Sequence, residues 1–219
     1  MKHCNTTAAY IELLRMKGEW AEFLPECGRC ASHEMGNTWF QKGSKLVDVV
    51  LIVPETQGMR GFAKRLPEFV FRLQDVLRQY SFKFGLISFG GKGAVHSEPH
   101  VVTVNGQHLG DVEDVSNAIE HLKFADRADN ETDGFEAISM ATRYPFRTGS
   151  TKIVLLLTAD ERIARPGTMS VRRLTKQLKR QDIIFNVIGK YKKLNQRVIG
   201  QDYRGKVFYR KNTPIDTQR

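Results

Sequence analysis

The amino-acid sequence predicts an α/β fold, a three-layer sandwich built on a mostly parallel central sheet. Three observations carry that expectation. Aliphatic runs without polar alternation occur at Asp48–Val53 and Ile153–Leu157, and further predominantly apolar runs at Phe82–Phe89 and Ile183–Ile188, as strands covered on both faces require. Segments with apolar residues at helical spacing lie between them. The two kinds alternate along the chain, and strand-helix alternation implies parallel strands joined by crossover helices.

Each element follows from its own pattern. The run through Asp48–Val53 holds five aliphatics in six residues and reads as a central strand. From Phe62 to Tyr80, Phe62, Leu66, Phe69, Val70, Leu73, Val76, Leu77 and Tyr80 fall on one helical stripe. Pro67 sits in the first turns of that helix, where its missing N–H matters less. Phe82–Phe89 is the second strand, and His100–Val104 a shorter edge strand. Asp111–Leu122 and Gly134–Tyr144 read as helices, Met169–Arg180 as another, and Val207–Tyr209 as the last strand. No internal repeat or low-complexity tract interrupts this order.

Length and composition bound the rest. With 219 residues and 41% hydrophobic content, the chain can bury one good core. Residues 43–219 are expected to form that domain, and residues 1–42 a polar, cysteine-bearing extracellular lead-in, the tail of a preceding module. No apolar run approaches the roughly 20 residues that cross a bilayer as a helix. Met1-Lys-His-Cys4 lacks the apolar core of a signal peptide, so the sequence reads as part of a longer precursor.

Cys4, Cys27 and Cys30 all fall in the lead-in. A Cys-x-x-Cys pair fits zinc or redox chemistry in a cytosolic protein. Zinc takes about four ligands, and only His3 and His33 lie near in sequence. The redox motif opens a helix after a strand, and no strand precedes Cys27. Structural disulfides are the reading preferred, with the odd cysteine seeking a partner outside the chain. Two sequons, Asn5-Thr-Thr and Asn130-Glu-Thr, add to the expectation of a secreted glycoprotein.

The order of elements is the wiring of the von Willebrand factor type A domain, and local phrases resemble that family too. Phe84-Gly-Leu-Ile-Ser-Phe-Gly90 resembles its second strand, R-x-G-x-x-x-F. Asp133-Gly-Phe-Glu-Ala-Ile138 is similar to its Gly-x-Ala-Leu helix start, and Lys152-Ile-Val-Leu-Leu-Leu-Thr158 to its fourth strand. The likeness spans roughly residues 46 to 210. It implies a Rossmann-like sandwich whose short edge strand is antiparallel. A plain flavodoxin-like or Rossmann domain is the rival, but it lacks the edge strand, and no Gly-x-Gly-x-x-Gly follows Val53.

The family holds magnesium through Asp-x-Ser-x-Ser after the first strand. Pro54, Thr56 and Gly58 stand at those places. The family's threonine falls at Glu131 and its last aspartate at Ala159. Glu55, Thr132 and Asp160 lie one residue off, and a one-residue shift changes a side chain's direction as well as its place. Magnesium needs near-octahedral oxygen ligation through one or two carboxylates. The resemblance therefore implies a degenerate metal site, and no cofactor is expected. A narrower likeness joins Phe84–Gly91, Val95-His-Ser-Glu-Pro-His100, Glu136–Ser139 and Tyr144-Pro-Phe-Arg-Thr-Gly149 to the A-type domain of apolipophorins, the large invertebrate lipid transfer proteins. It implies a secreted lipoprotein particle.

Other constellations carry less chemistry. His96 and His100 with Glu98 between them imitate a metal pair, but Pro99 denies them helical geometry. Phe89-Gly-Gly-Lys-Gly93 lacks the helix start of a phosphate loop and reads as a turn. With no Gly-x-Ser-x-Gly or His-Glu-x-x-His, enzymatic function has little to rest on, though a nucleotide-binding or hydrolytic α/β domain is the alternative.

Charge supplies the remaining lead. Arg162–Arg219 holds 16 Lys/Arg against 3 Asp/Glu, in a chain of net charge +10. Arg172, Arg173, Lys176, Lys179 and Arg180 share one predicted helix, and Lys190, Lys192 and Lys193 follow the next strand. Such a concentration attracts polyanions. The partners expected are other domains of the same precursor and sulfated glycans or anionic lipid headgroups. An intracellular nucleic-acid-binding module is the further alternative, with no recognition motif to support it.

Overall fold

The structure, a computed structural model, describes residues 45–76, 80–91, 97–125, 134–158, 169–189 and 207–209. Strand β1 spans Leu46–Pro54, β2 Ser81–Phe89, β3 His100–Val102, β4 Thr151–Thr158, β5 Ile183–Gly189 and β6 Val207–Tyr209. Among the described residues the helices are α1 (Arg60–Ala63), α2 (Leu66–Val76), α3 (Val112–Glu120), α4 (Gly134–Ala141) and α5 (Val171–Arg180), with a 3-10 turn at Gln57–Met59. The sheet order is β3-β2-β1-β4-β5-β6. All pairings are parallel except β2 with β3, which is antiparallel.

Alternation along β1 sorts the core into two layers. Val47, Val49, Leu51 and Val53 pack with Leu66, Val70 and Leu73 of α2 and Val112, Val115 and Ile119 of α3. Val50 and Ile52 pack on the other side with Phe135 and Ile138 of α4 and Leu174 and Leu178 of α5. Both faces are covered, so the aliphatic runs need no polar alternation. The order, the parallel pairings and the antiparallel edge strand agree with the sequence reading.

Several bounds differ. The predicted helix from Phe62 to Tyr80 is two helices, α1 and α2, with Lys64 and Arg65 between them. Pro67 is the cause: it has no N–H to give, and its ring crowds the carbonyl four residues back, so a helix restarts there. The edge strand stops at Val102, and Val104 instead bridges to Gln107 through a turn at Asn105-Gly106, both with positive φ. The helix expected to reach Tyr144 ends at Ala141. That releases Tyr144 to lie against β2, where a Cβ on Gly85 would come within 2.5 Å of its hydroxyl. Gly85 is thus the residue that admits the ring.

Away from the carboxyl ends of the strands, Asp48 is fully buried. Its carboxylate accepts from the Arg147 backbone N–H at 2.6 Å, from Arg147 Nε at 2.6 Å and from Ser150 Oγ at 2.8 Å. Arg147 also donates to the carbonyls of Val47 and Ser81. A buried charge is tolerated only when paired and hydrogen-bonded, and this one is both.

Candidate functional site

In open parallel sheets, ligands bind outside the carboxyl ends of the strands, where neighbouring connections run opposite ways. Here that point lies between β1 and β4, since β1 continues towards β2 on one side while β4 and β5 extend the other. The chain leaving β1 passes through Pro54, Glu55 and Thr56, all buried, before Gly58 emerges in the 3-10 turn. Glu131, Ala159, Thr132 and Asp160 lie outside the described residues, as do His96, Asn5, Asn130, the three cysteines and Lys190, Lys192 and Lys193.

Glu55 organises this crest. Its backbone N–H donates to the Phe89 carbonyl at 2.7 Å, and its own carbonyl accepts from Ala125 N–H at 2.8 Å. The side chain, 1% exposed, accepts from the Lys123 backbone N–H through Oε1 at 2.9 Å. Its other oxygen lies 3.8 Å from His100 Nε2. His100 opens β3 and turns Nδ1 to the Glu98 carbonyl at 3.0 Å; a carbonyl only accepts, so Nδ1 carries the hydrogen. Ser88 Oγ donates to the Val53 carbonyl at 2.8 Å. One carboxylate therefore ties the end of β1 to the segment after α3 and faces the edge strand.

That geometry tests the fit of a divalent ion. Pro54 closes β1 and has no side-chain oxygen to offer. Glu55 is committed to a backbone N–H, and an ion would have to displace it. Among the described residues, no group of three or more His, Cys, Asp or Glu stands close enough to hold a metal. Among the described residues, Pro54 and the committed Glu55 leave no free carboxylate for the near-octahedral oxygen ligation that magnesium demands.

A model of the von Willebrand factor type A domain matches residues 48–213. The chain belongs to that family. Among solved structures, the SpRpn10 VWA domain superposes with a TM-score of 0.53 at 14% identity, covering 77% of this chain and 90% of that one. The conserved hypothetical protein BatB from Bacteroides thetaiotaomicron is similar at 17% identity and a TM-score of 0.48, covering 65% of this chain and 66% of its own. No curated protein matches the chain significantly. Domains of this family are typically protein-interaction modules.

Five of the basic residues singled out in the sequence of this VWA domain lie on α5. Ser170 caps α5, its Oγ accepting from Arg173 N–H at 3.3 Å. Leu174 and Leu178 enter the core, while Arg172, Arg173, Lys176, Lys179 and Arg180 are all exposed. Beside the start of α5 a cleft of about 540 Å³ carries both signs, Glu98 and Glu136 with Arg143 and Arg173. Among the described residues no helix is long and apolar enough to cross a membrane.

Sequence reasoning missed the part played by Glu55 and the Asp48 cluster. A signal for the first was present: an acidic residue directly after an aliphatic strand sits at the sheet's carboxyl edge, where it is either a ligand or a tie. Asp48 meets Arg147 across 99 residues, and no local pattern encodes that pairing.

Proposed function

We propose that this VWA domain is a non-enzymatic interaction module that contacts protein partners without a bridging divalent ion. The observation that carries the reading is the crest itself. Pro54 stands where the family's first carboxylate would be, and the Glu55 carboxylate is turned onto Lys123 N–H and His100. Without such an ion, contact with a partner has to come from the protein's own surface.

The wider setting proposed is a secreted, disulfide-bonded glycoprotein. Sequons at Asn5 and Asn130 and the clustered Cys4, Cys27 and Cys30 support it. The apolipophorin-like phrases favour a lipid-carrying particle within that setting, with neighbouring domains of the same precursor as partners.

Thermal unfolding with and without millimolar magnesium, manganese or calcium tests the crest. An ion bound with a dissociation constant of about 10 µM adds about 2.7 kcal/mol at roughly 1 mM free metal. The expected result is no shift in Tm. A metal-dependent rise that disappears in Glu55→Gln or Asp160→Ala would overturn the reading.

A further inference from the structure

We infer that the outer face of α5 is a docking surface for a linear sulfated polysaccharide. This goes beyond the reading of the crest and does not depend on it. Five cations stand exposed on ten residues, and the helix contains no acidic residue. Among the described residues none of the five enters an ion pair. Two lysines elsewhere are engaged: Lys83 pairs with Asp111 at 2.7 Å, and Lys152 donates to the Gln181 carbonyl just beyond α5.

Helix stability does not account for the pattern. Lys179 and Arg180 in the last turn complement the helix dipole, but Arg172 and Arg173 occupy the first turn, where cations oppose it. Their positive charge is a local cost to the helix, so its use lies outside. Arg172, Lys176 and Lys179 run along one stripe and Arg173, Lys176 and Arg180 along the next. At 1.5 Å rise per residue each stripe is about 10 Å long, a track suited to a chain of regularly placed anions.

The chemistry of the face selects among polyanions. A protein partner would be expected to find an aromatic or aliphatic anchor at the centre of its contact, and a membrane an apolar face to bury. Single-stranded nucleic acid would use stacking platforms. The exposed side chains of α5 supply none of these, and the large hydrophobic residue found exposed among the described residues, Phe71, belongs to α2 on the opposite layer. What remains is charge alone, matched by a hydrophilic polymer dense in sulfate. Guanidinium groups suit oxyanions of this kind through paired N–H donors, and basic clusters of this density are heparin- or nucleic-acid-type patches. Glu98 and Glu136 at the neighbouring cleft bound the surface on the side of α4.

The test is binding of the full chain to heparin, with desulfated heparin, double-stranded DNA and phosphatidylserine vesicles as competitors. Counterion release by a handful of contacts should weaken binding on the order of tens-fold between about 50 and about 200 mM salt. Replacing Arg172, Arg173, Lys176 and Lys179 together with Gln should cost at least about tenfold. Replacing the exposed Lys64, Arg65 and Lys123 with Gln, on the other side of the molecule, should change affinity less than about twofold. If the fourfold variant melts early, the exposed pair Arg172→Gln with Lys176→Gln decides, with a several-fold loss expected. Unchanged affinity in these α5 variants overturns the assignment, as does an equal loss in the distant triple variant. DNA, vesicles or desulfated heparin competing as well as heparin overturns it too.

Discussion

Tyr144 lies over Gly85 of β2 with its hydroxyl donating to the His108 carbonyl. Its ring meets Phe146 at 5.8 Å and His108 at 6.0 Å between centroids. Burial penalises the phenolate more than the Leu86 backbone hydrogen bond favours it, and the pKa is pushed from 10.0 up to about 12. The folded chain therefore holds a proton that the unfolded chain releases near pH 10. Stability from this residue is whole below that pH and is lost as pH rises towards 12. A tyrosinate absorbance titration should show one phenol ionising later than the rest, and Tyr144→Phe should remove it and flatten the alkaline decline in stability. A titration in which every phenol ionises together near pH 10 would count against this account.

At the scale of elements, strands and crossover helices were legible because their signals are local. Aliphatic runs and helical stripes are set by periodicities within a dozen residues. The split of α1 from α2 was half legible: Pro67 was visible, but whether it merely entered the helix or restarted it depends on how the chain packs. The tie between elements at Asp48 was illegible, because Arg147 joins it from the far side of the sequence while also reaching the Val47 and Ser81 carbonyls. This cluster clamps β1, β2 and the turn before β4. Arg147→Ala should destabilise the fold by about 3 kcal/mol, the lower end for breaking a buried pair, since Ser150 Oγ and the residue 147 backbone N–H still serve the carboxylate. The double variant Asp48→Leu with Arg147→Met should lose less than the two single changes summed. Urea unfolding measures both; a cost for Arg147→Ala under about 0.5 kcal/mol, the range of ordinary surface changes, would show the clamp to be ornamental.

For the whole molecule, the family and its wiring could be read from the sequence because three phrases stood in the right order along a chain whose strands were unmistakable. The crest was read only by position, as Pro54 where an aspartate belongs; that Glu55 would be drawn inward to the Lys123 backbone and His100 is a property of the assembled sheet. The secretory setting remains a matter of sequence, because Cys4, Cys27 and Cys30 precede the described residues. Thiols persist in reducing compartments and pair in oxidising ones, so the compartment leaves a mass difference behind. Each disulfide formed within the chain removes two hydrogens, and the odd cysteine cannot pair inside the chain. Protein made through a secretory pathway should therefore show Cys27 and Cys30 both oxidised, with one of the three cysteines free or joined to another molecule. Intact mass and peptide mapping under non-reducing and reducing conditions read this directly. Three free thiols in freshly secreted material would overturn the extracellular assignment, and a stoichiometric zinc ion bound by the same cysteines would replace it with an intracellular one.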